Sequence, residues 1–257
     1  MDNRAIGIYD SGLGGLSVWR EVRDRLPHES LLYLGDGANC PYGLRSTLDI
    51  HELALRAVGI LLDRGCKMIV VACNTATAVA IETLRSRYPH IPFVGMEPAV
   101  KPACLQTQTG VVGVLATQRS IEGDMFHRTA AKYGDNIRVI SRFGRGFVEL
   151  VESNMEGSDY AQRVVGDVVG EFVSEGVDQI VLGCTHYPFL REEIARVAPR
   201  ANIIDPSPAI AKRVERLLVD GGLEAANSNI AKYDFITFAD DEYLRRLTTK
   251  ADLIFKM

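Results

Sequence analysis

The sequence repeats one strand-and-helix pattern twice, and this repetition limits the possible folds more than any other feature. Short β-rich runs alternate with helical patterns along nearly the whole chain. Four runs fall in the first half and four in the second, at residues 6–9, 31–34, 68–71 and 93–95, then 111–115, 138–140, 179–182 and 202–204. Matching runs lie about 105 to 111 positions apart, as from Ile6 to Val111 and from Met68 to Gln179. Repeated βαβ units predict an α/β fold with two similar domains and mainly parallel sheets.

Composition and charge exclude several classes of protein. Hydrophobic residues make up 47% of the 257 positions, which is enough for one sizeable core or two modest ones. The formal net charge is −4 and no long basic run occurs, so we expect no nucleic-acid partner. The sequence contains neither a stretch of about 18 apolar residues nor a signal-peptide pattern, so we expect no membrane span and a cytoplasmic protein. Five irregularly spaced cysteines predict reduced thiols.

Two of these cysteines, Cys73 and Cys184, occupy matching positions directly after the third strand of each half. Polar residues that begin a helical pattern follow them, namely Asn74 and Thr75 in the first half and Thr185 and His186 in the second. Open α/β sheets bind ligands at the carboxyl ends of their strands, where helix N-termini offer N–H donors and partial positive charge. Such a field binds a carboxylate and favours the thiolate form of a nearby cysteine.

A pair of thiols on opposite sides of one cleft suits proton transfer at a carbon atom. One thiolate removes a proton from one face, and the other thiol returns a proton to the opposite face. We predict that Cys73 and Cys184 are these acid and base catalysts and exchange roles when the reaction reverses. A thiol is only a few per cent ionised at neutral pH, so Asp10 and His186 are the candidates for adjusting its protonation.

The remaining cysteines, Cys40, Cys66 and Cys104, are interpreted as small core residues. Cys184 and His186 lie close together in the sequence, but no spaced second pair of ligands accompanies them. We therefore expect no metal site. The Gly-rich segment 10–17 fits no phosphate-binding pattern and is interpreted as a tight turn from strand to helix.

Four segments, taken together in order and spacing, resemble the glutamate racemase family of the aspartate/glutamate racemase superfamily: residues 10–17, 41–43, 72–76 and 183–188. The resemblance runs from about Ile6 to Ala211. It implies two α/β domains, at residues 1–97 with 206–257 and at residues 98–205, with the active site in the cleft between them. It also implies interconversion of L- and D-glutamate without a cofactor, supplying D-glutamate for peptidoglycan synthesis.

The resemblance also assigns roles to individual residues. Cys73 and Cys184 correspond to the catalytic pair, with Asp10 beside the first and His186 beside the second. The positions that correspond to substrate-binding groups, or lie next to the substrate, are Asp10, Ser11, Tyr42, Gly43, Asn74, Thr75, Thr117, Glu152 and Thr185. From the residues alone, Glu152 would be interpreted as an exposed carboxylate on a helix.

Three departures from the family pattern leave the substrate open. Gly37 and Ser120 stand where threonine is usual, and segment 141–146 lacks a common Cys-Pro pair. An aspartate racemase or a broad-specificity amino-acid racemase therefore remains an alternative. So do a DNA-gyrase-inhibiting binding protein on the same fold and a thiol hydrolase or redox protein, which would need only one cysteine. The oligomeric state is also left open, a homodimer being one option.

Overall fold

The computed structural model describes residues 1–97, 99–122 and 137–255 and divides into two compact units. One unit contains residues 1–96 and 207–257, and the other contains residues 97–206. Pro98, the first residue of the predicted second domain, lies outside the described residues.

The first unit is a five-stranded parallel sheet with helices. Its strands, numbered along the whole chain, are β1 (Ile6–Asp10), β2 (Leu31–Gly35), β3 (Met68–Val71), β4 (Phe93–Gly95) and β9 (Tyr233–Thr237). They pair in the order β4-β3-β1-β2-β9. Its helices are α1 (Leu16–Arg25), α2 (Thr47–Asp63), α3 (Asn74–Arg87), α9 (Ser207–Gly221) and α10 (Asp241–Phe255), with a short 3₁₀ helix at Tyr42–Leu44.

The second unit is a four-stranded parallel sheet with strands β5 (Val111–Ala116), β6 (Arg138–Phe143), β7 (Gln179–Gly183) and β8 (Asn202–Ile204). They pair in the order β6-β5-β7-β8. Its described helices are α4 (Val100–Gln106), α5 (Gln118–Glu122), α6 (Phe147–Glu152), α7 (Asp159–Ser174) and α8 (Arg191–Val197), with a 3₁₀ helix at Tyr187–Leu190. The predicted α/β class with parallel sheets is confirmed.

Local sequence explains where the long helices begin. Ser46 precedes α2 and accepts a hydrogen bond from the Asp49 amide at 3.1 Å, and Ser158 does the same for the Ala161 amide before α7 at 3.0 Å. These N-caps satisfy amides that have no acceptor within the helix. Strands β1, β2, β3 and β7 are buried along their whole length, which explains their continuous apolar runs.

One strand was not predicted from the sequence. Strand β9 forms the edge of the first sheet beside β2, and all of its residues are at least partly exposed. Its sequence, Tyr-Asp-Phe-Ile-Thr, contains a charge and lacks the apolar run of the buried strands. Trp19 of α1 packs on its Tyr233 and Phe235, with ring centroids 5.6 and 5.5 Å apart. Within the described residues, no helix combines the length and apolar character needed to cross a bilayer.

Candidate active site

The first unit gathers polar residues at the carboxyl ends of three adjacent strands. In the parallel register Asp10 pairs with Gly35, and Tyr9 pairs with Val71. The residues that follow these strand ends, Asp36 after β2 and Cys73 after β3, therefore lie at the same edge of the sheet as Asp10. This is the edge at which open α/β sheets bind their ligands.

Cys73 is the N-cap of α3. Its sulfur accepts a hydrogen bond from the Ala76 amide at 3.4 Å and lies 3.6 Å from Ser11 Oγ. The side chain is buried, with 5% of the residue exposed. An amide donor and the positive end of a 14-residue helix both stabilise a thiolate at this position.

The turn between β1 and α1 carries Asp10 and Ser11. Asp10 is fully buried, and its Oδ2 accepts a hydrogen bond from the Gly12 amide at 3.0 Å. A Cβ atom on Gly15 would come within 2.5 Å of the Asp10 Cβ, so the loop needs glycine there to pass this close. The segment is a strand-to-helix turn, which agrees with its interpretation from the sequence.

Asn74 and Thr75 form the first turn of α3 and are both buried. Asn74 Oδ1 has no hydrogen-bond partner among the described residues, although its residue is only 7% exposed. A buried acceptor without a partner costs about 1 to 3 kcal/mol. Such a group next to a buried thiol is suited to accept a hydrogen bond from a ligand.

Tyr42 directs its phenol into the core. Its hydroxyl donates to Asp36 Oδ2 at 2.6 Å and accepts from the Tyr9 hydroxyl at 2.7 Å. Burial, with nearby Tyr9 and Asp36, raises the pKa of Tyr42 far above its usual value, so the phenol keeps its proton. Sequence reasoning had not identified Tyr9 or Asp36 as site residues. The signal for Asp36 was its position directly after β2, which matches the position of Asp10 at the end of β1.

The second unit contains a chain of three side chains. Cys184, directly after β7, has its sulfur 3.7 Å from His186 Nδ1, and His186 Nε2 lies 2.7 Å from Glu152 Oε1. Cys184 and His186 are buried, and the Glu152 side chain is 15% exposed. Glu152 is therefore not an exposed helical carboxylate, because it lies at the end of α6 against the imidazole.

The contact with Glu152 determines how the imidazole can act. A carboxylate accepts a hydrogen bond, so it favours the His186 tautomer that carries its proton on Nε2. Nδ1 is then an acceptor facing Cys184, with Thr185 Oγ1 also 3.5 Å away. This arrangement can hold, take or return the thiol proton.

The backbone after Cys184 differs from the predicted helix. A four-residue 3₁₀ helix begins at Tyr187, followed by α8 at Arg191. Pro188 in its first turn lacks an amide N–H. Cys184 therefore has a histidine beside it in place of the long helix that Cys73 caps.

Two other polar side chains of the second unit lie near the same strand ends. Thr117 follows β5, and Ala116 pairs with Gly183 in the sheet, so Thr117 and Cys184 follow neighbouring strands. The Thr117 hydroxyl donates to Ser120 Oγ at 2.8 Å. Ser120, which stands where threonine is usual in the family, therefore still supplies the hydroxyl oxygen that this hydrogen bond needs.

The structure thus divides the predicted site residues between the two units. The first unit holds Asp10, Ser11, Tyr42, Gly43, Cys73, Asn74 and Thr75, and the second holds Thr117, Glu152, Cys184, Thr185 and His186. Of the other cysteines, Cys66 and Cys104 have pKa values raised by burial, to about 11 for Cys66. These two thiols are poor nucleophiles at neutral pH.

Comparison with protein families gives one match over most of the chain. Residues 17–214 match the model of the Asp/Glu/Hydantoin racemase family. The chain is 44% identical to the glutamate racemase of Herpetosiphon aurantiacus over 248 residues, covering 96% of this chain and 97% of that protein.

Solved structures give similar matches. A glutamate racemase from Francisella tularensis in complex with D-glutamate is 29% identical with a TM-score of 0.85, covering 100% of this chain and 95% of that one. An Escherichia coli glutamate racemase in complex with L-glutamate and the activator UDP-MurNAc-ala is 32% identical with a TM-score of 0.86, covering 98% and 95%.

Proposed function

The chain belongs to the Asp/Glu/Hydantoin racemase family and is an amino-acid racemase, an isomerase, and we propose that it interconverts L- and D-glutamate without a cofactor. The similarity to glutamate racemases, two of them with glutamate bound in the solved structures, supports this choice of substrate. The observation that carries the proposal is that each sheet has one buried cysteine just beyond a strand end. The groups around these cysteines can stabilise a thiolate or transfer the thiol proton.

In the proposed reaction, the two sulfur atoms flank the α-carbon of the substrate from opposite sides. The Cys73 thiolate takes the α-proton and becomes a thiol. The Cys184 thiol gives its proton to the opposite face and becomes a thiolate. After one conversion Cys73 is a thiol and Cys184 a thiolate, which is the state that the reverse conversion needs. Proton exchange with solvent returns the pair to its starting state, and no oxidant is required.

The neighbouring groups supply the right charges for this chemistry. Ser11 and the Ala76 amide support a thiolate at Cys73, and His186, held by Glu152, supports proton transfer at Cys184. We assign the substrate ammonium to Asp10. We assign its carboxylates to the backbone amides of Tyr42 and Gly43 and to amides and hydroxyls of Ser11, Asn74, Thr75, Thr117 and Thr185.

The product would be D-glutamate for peptidoglycan synthesis. We place the reaction in the cytoplasm, because the mechanism requires both thiols to stay reduced and that compartment keeps thiols reduced. All five cysteines are free thiols, in agreement with this requirement.

The test uses Cys73→Ala and Cys184→Ala, with Cys104→Ala as the control for a buried cysteine outside the site. Loss of an acid–base group typically costs about 10²- to 10⁴-fold in rate, so each site variant should lose at least about 100-fold in kcat in both directions. Circular dichroism of L- and D-glutamate follows the reaction, and incubation in heavy water should place deuterium on the α-carbon of the product. Wild-type turnover in either site variant would contradict the two-cysteine scheme.

The same proteins and assays distinguish two alternative functions. Faster inversion of aspartate than of glutamate by the wild-type protein would identify an aspartate racemase. The Cys184–His186–Glu152 chain also suits a thiol hydrolase, in which the cysteine is a nucleophile and the histidine its base. A hydrolase would keep its activity in Cys73→Ala, whereas the proposed racemase would not.

A further inference from the structure

The phenol of Tyr42 cannot turn toward a ligand without breaking two hydrogen bonds. Its side chain is buried, with 1% of the residue exposed. A phenol has a single proton, which Tyr42 donates to Asp36, so its contact with Tyr9 must use the Tyr9 proton. The hydrogen bonds therefore run in one direction, from Tyr9 to Tyr42 to Asp36.

Asp36 accepts the last hydrogen bond of this chain, and it also forms hydrogen bonds within the segment that carries Tyr42. Its carboxylate oxygens accept hydrogen bonds from Asn39 Nδ2 at 2.9 and 3.1 Å, and the Asn39 amide donates to the Asp36 carbonyl at 3.2 Å. Arg45 Nε donates to the Asn39 carbonyl at 2.5 Å. Segment 36–45 is thus tied around one buried carboxylate.

The backbone of Tyr42 has a different role from its phenol. Tyr42 and Gly43 begin a 3₁₀ helix, and the first amides of a helix have no acceptor within it. We propose that Tyr9 and Asp36 are positioning residues that hold the Tyr42–Gly43 backbone in place for substrate through the Tyr42 phenol. This proposal rests on the proposed function, because it assigns these amides to a glutamate carboxylate.

Tyr9 also connects the hydrogen-bonded chain of Tyr9, Tyr42 and Asp36 to the Cys73 thiol. Tyr9, Tyr42 and Cys73 belong to one apolar cluster, and the two tyrosine rings meet edge to face at 6.4 Å. Burial and then the negative charge of Cys73 raise the pKa of Tyr9 well above its usual value. Tyr9 therefore keeps its proton when Cys73 is a thiolate, and the direction of the chain does not change during the reaction.

The test compares Tyr9→Phe, Asp36→Asn and Tyr42→Phe, with Tyr88→Phe as a control at a half-buried tyrosine of the same unit. Tyr9→Phe removes one neutral hydrogen bond and should raise KM for glutamate about threefold to tenfold, with kcat changed less than KM. Tyr42→Phe removes two hydrogen bonds and Asp36→Asn a charged acceptor, so each should raise KM at least as much. Tyr88→Phe should leave both constants unchanged. Since Tyr9 acts through Tyr42, Tyr9→Phe should raise KM less than about twofold when Tyr42→Phe is already present.

The same variants are compared by urea unfolding, which does not depend on activity. The Tyr9→Phe and Tyr42→Phe shifts in the urea midpoint should be strongly non-additive. Wild-type KM in all three variants of an active racemase would overturn the positioning role, and so would a rise in KM for Tyr9→Phe that persists fully beside Tyr42→Phe. If the wild-type protein does not racemise glutamate, the proposed function is wrong. The urea measurements then still test the hydrogen bonds from Tyr9 to Tyr42 to Asp36, which additive shifts in the midpoint would contradict.

Discussion

Lys67 lies directly before β3 with its side chain fully buried, and its ammonium joins three segments of the first unit. Replacing it with methionine removes that charge. Its ammonium lies 2.6 Å from Glu29 Oε2 and donates to the carbonyls of Asp2 at 2.5 Å and Leu223 at 2.7 Å. All three ammonium protons therefore have acceptors. The residue is 2% exposed, and Glu29 is 4% exposed.

The loss of stability on Lys67→Met depends on the buried groups that are left without their partner. Methionine fills much of the same volume, but the Glu29 carboxylate stays buried and two carbonyls lose their donor. Removing one partner of a buried ion pair costs about 3 to 5 kcal/mol. With an m value of about 2 kcal/mol/M, the urea midpoint should fall by about 2 M. Adding Glu29→Gln should recover part of this loss, because glutamine is neutral and its amide oxygen still accepts from the Ala225 amide.

Trp19 provides the assay. It is the single tryptophan of the chain, is 1% exposed, and packs on β9 of the unit that contains Lys67. Its fluorescence in urea therefore follows unfolding of that unit. The matched control is Lys212→Met, at an exposed position on α9, which should change stability by no more than about 0.5 kcal/mol. A loss below about 1 kcal/mol for Lys67→Met would refute the reasoning.

Two further predictions concern packing and pH. Gly37→Ala should destabilise the first unit by about 1 to 3 kcal/mol, because the new Cβ would lie 2.2 Å from the ring of the buried Tyr243. Tyr243→Ala should cancel that penalty in Trp19-monitored urea unfolding, and penalties that simply add would contradict the proposed clash. Burial raises the pKa of Cys66 from 9.0 to about 11, so only the unfolded chain loses this thiol proton between those pH values. Stability relative to Cys66→Ala should therefore be constant below pH 9 and fall from pH 9 to about 11, and parallel stability profiles for the two proteins would argue against it.

The eight strands predicted from sequence were recognisable because their signal is local. Each is a short β-rich run, and the strands buried along their whole length are mostly apolar. Strand β9 was missed because the charged Asp234 interrupts its apolar residues. Its aromatic residues are explained by their contact with Trp19, more than 200 positions away in the sequence. Such a contact leaves no periodic signal in either segment.

The candidate site was predictable where topology alone places a residue. Parallel strands bring their carboxyl ends to one edge, so Asp10 and Cys73 could be assigned to the same edge before any coordinates existed. The partners of these residues could not be assigned in this way. Glu152 reaches His186 across 34 positions, and Tyr9 reaches Tyr42 across 33. Those contacts depend on helix packing and on the path of a loop, which residue spacing does not determine.

The repeat in the sequence suggested two equivalent cysteines, yet their surroundings differ. Cys73 has a helix N-terminus and an amide donor, whereas Cys184 has an imidazole held by a carboxylate. In the proposed racemisation this difference is compatible with thermodynamics. The two enantiomers have equal free energy, so kcat/KM must be the same in both directions whatever the two thiols are like. The unequal surroundings can change kcat and KM between the directions only together, because the equilibrium between the enantiomers fixes the ratio of the two kcat/KM values.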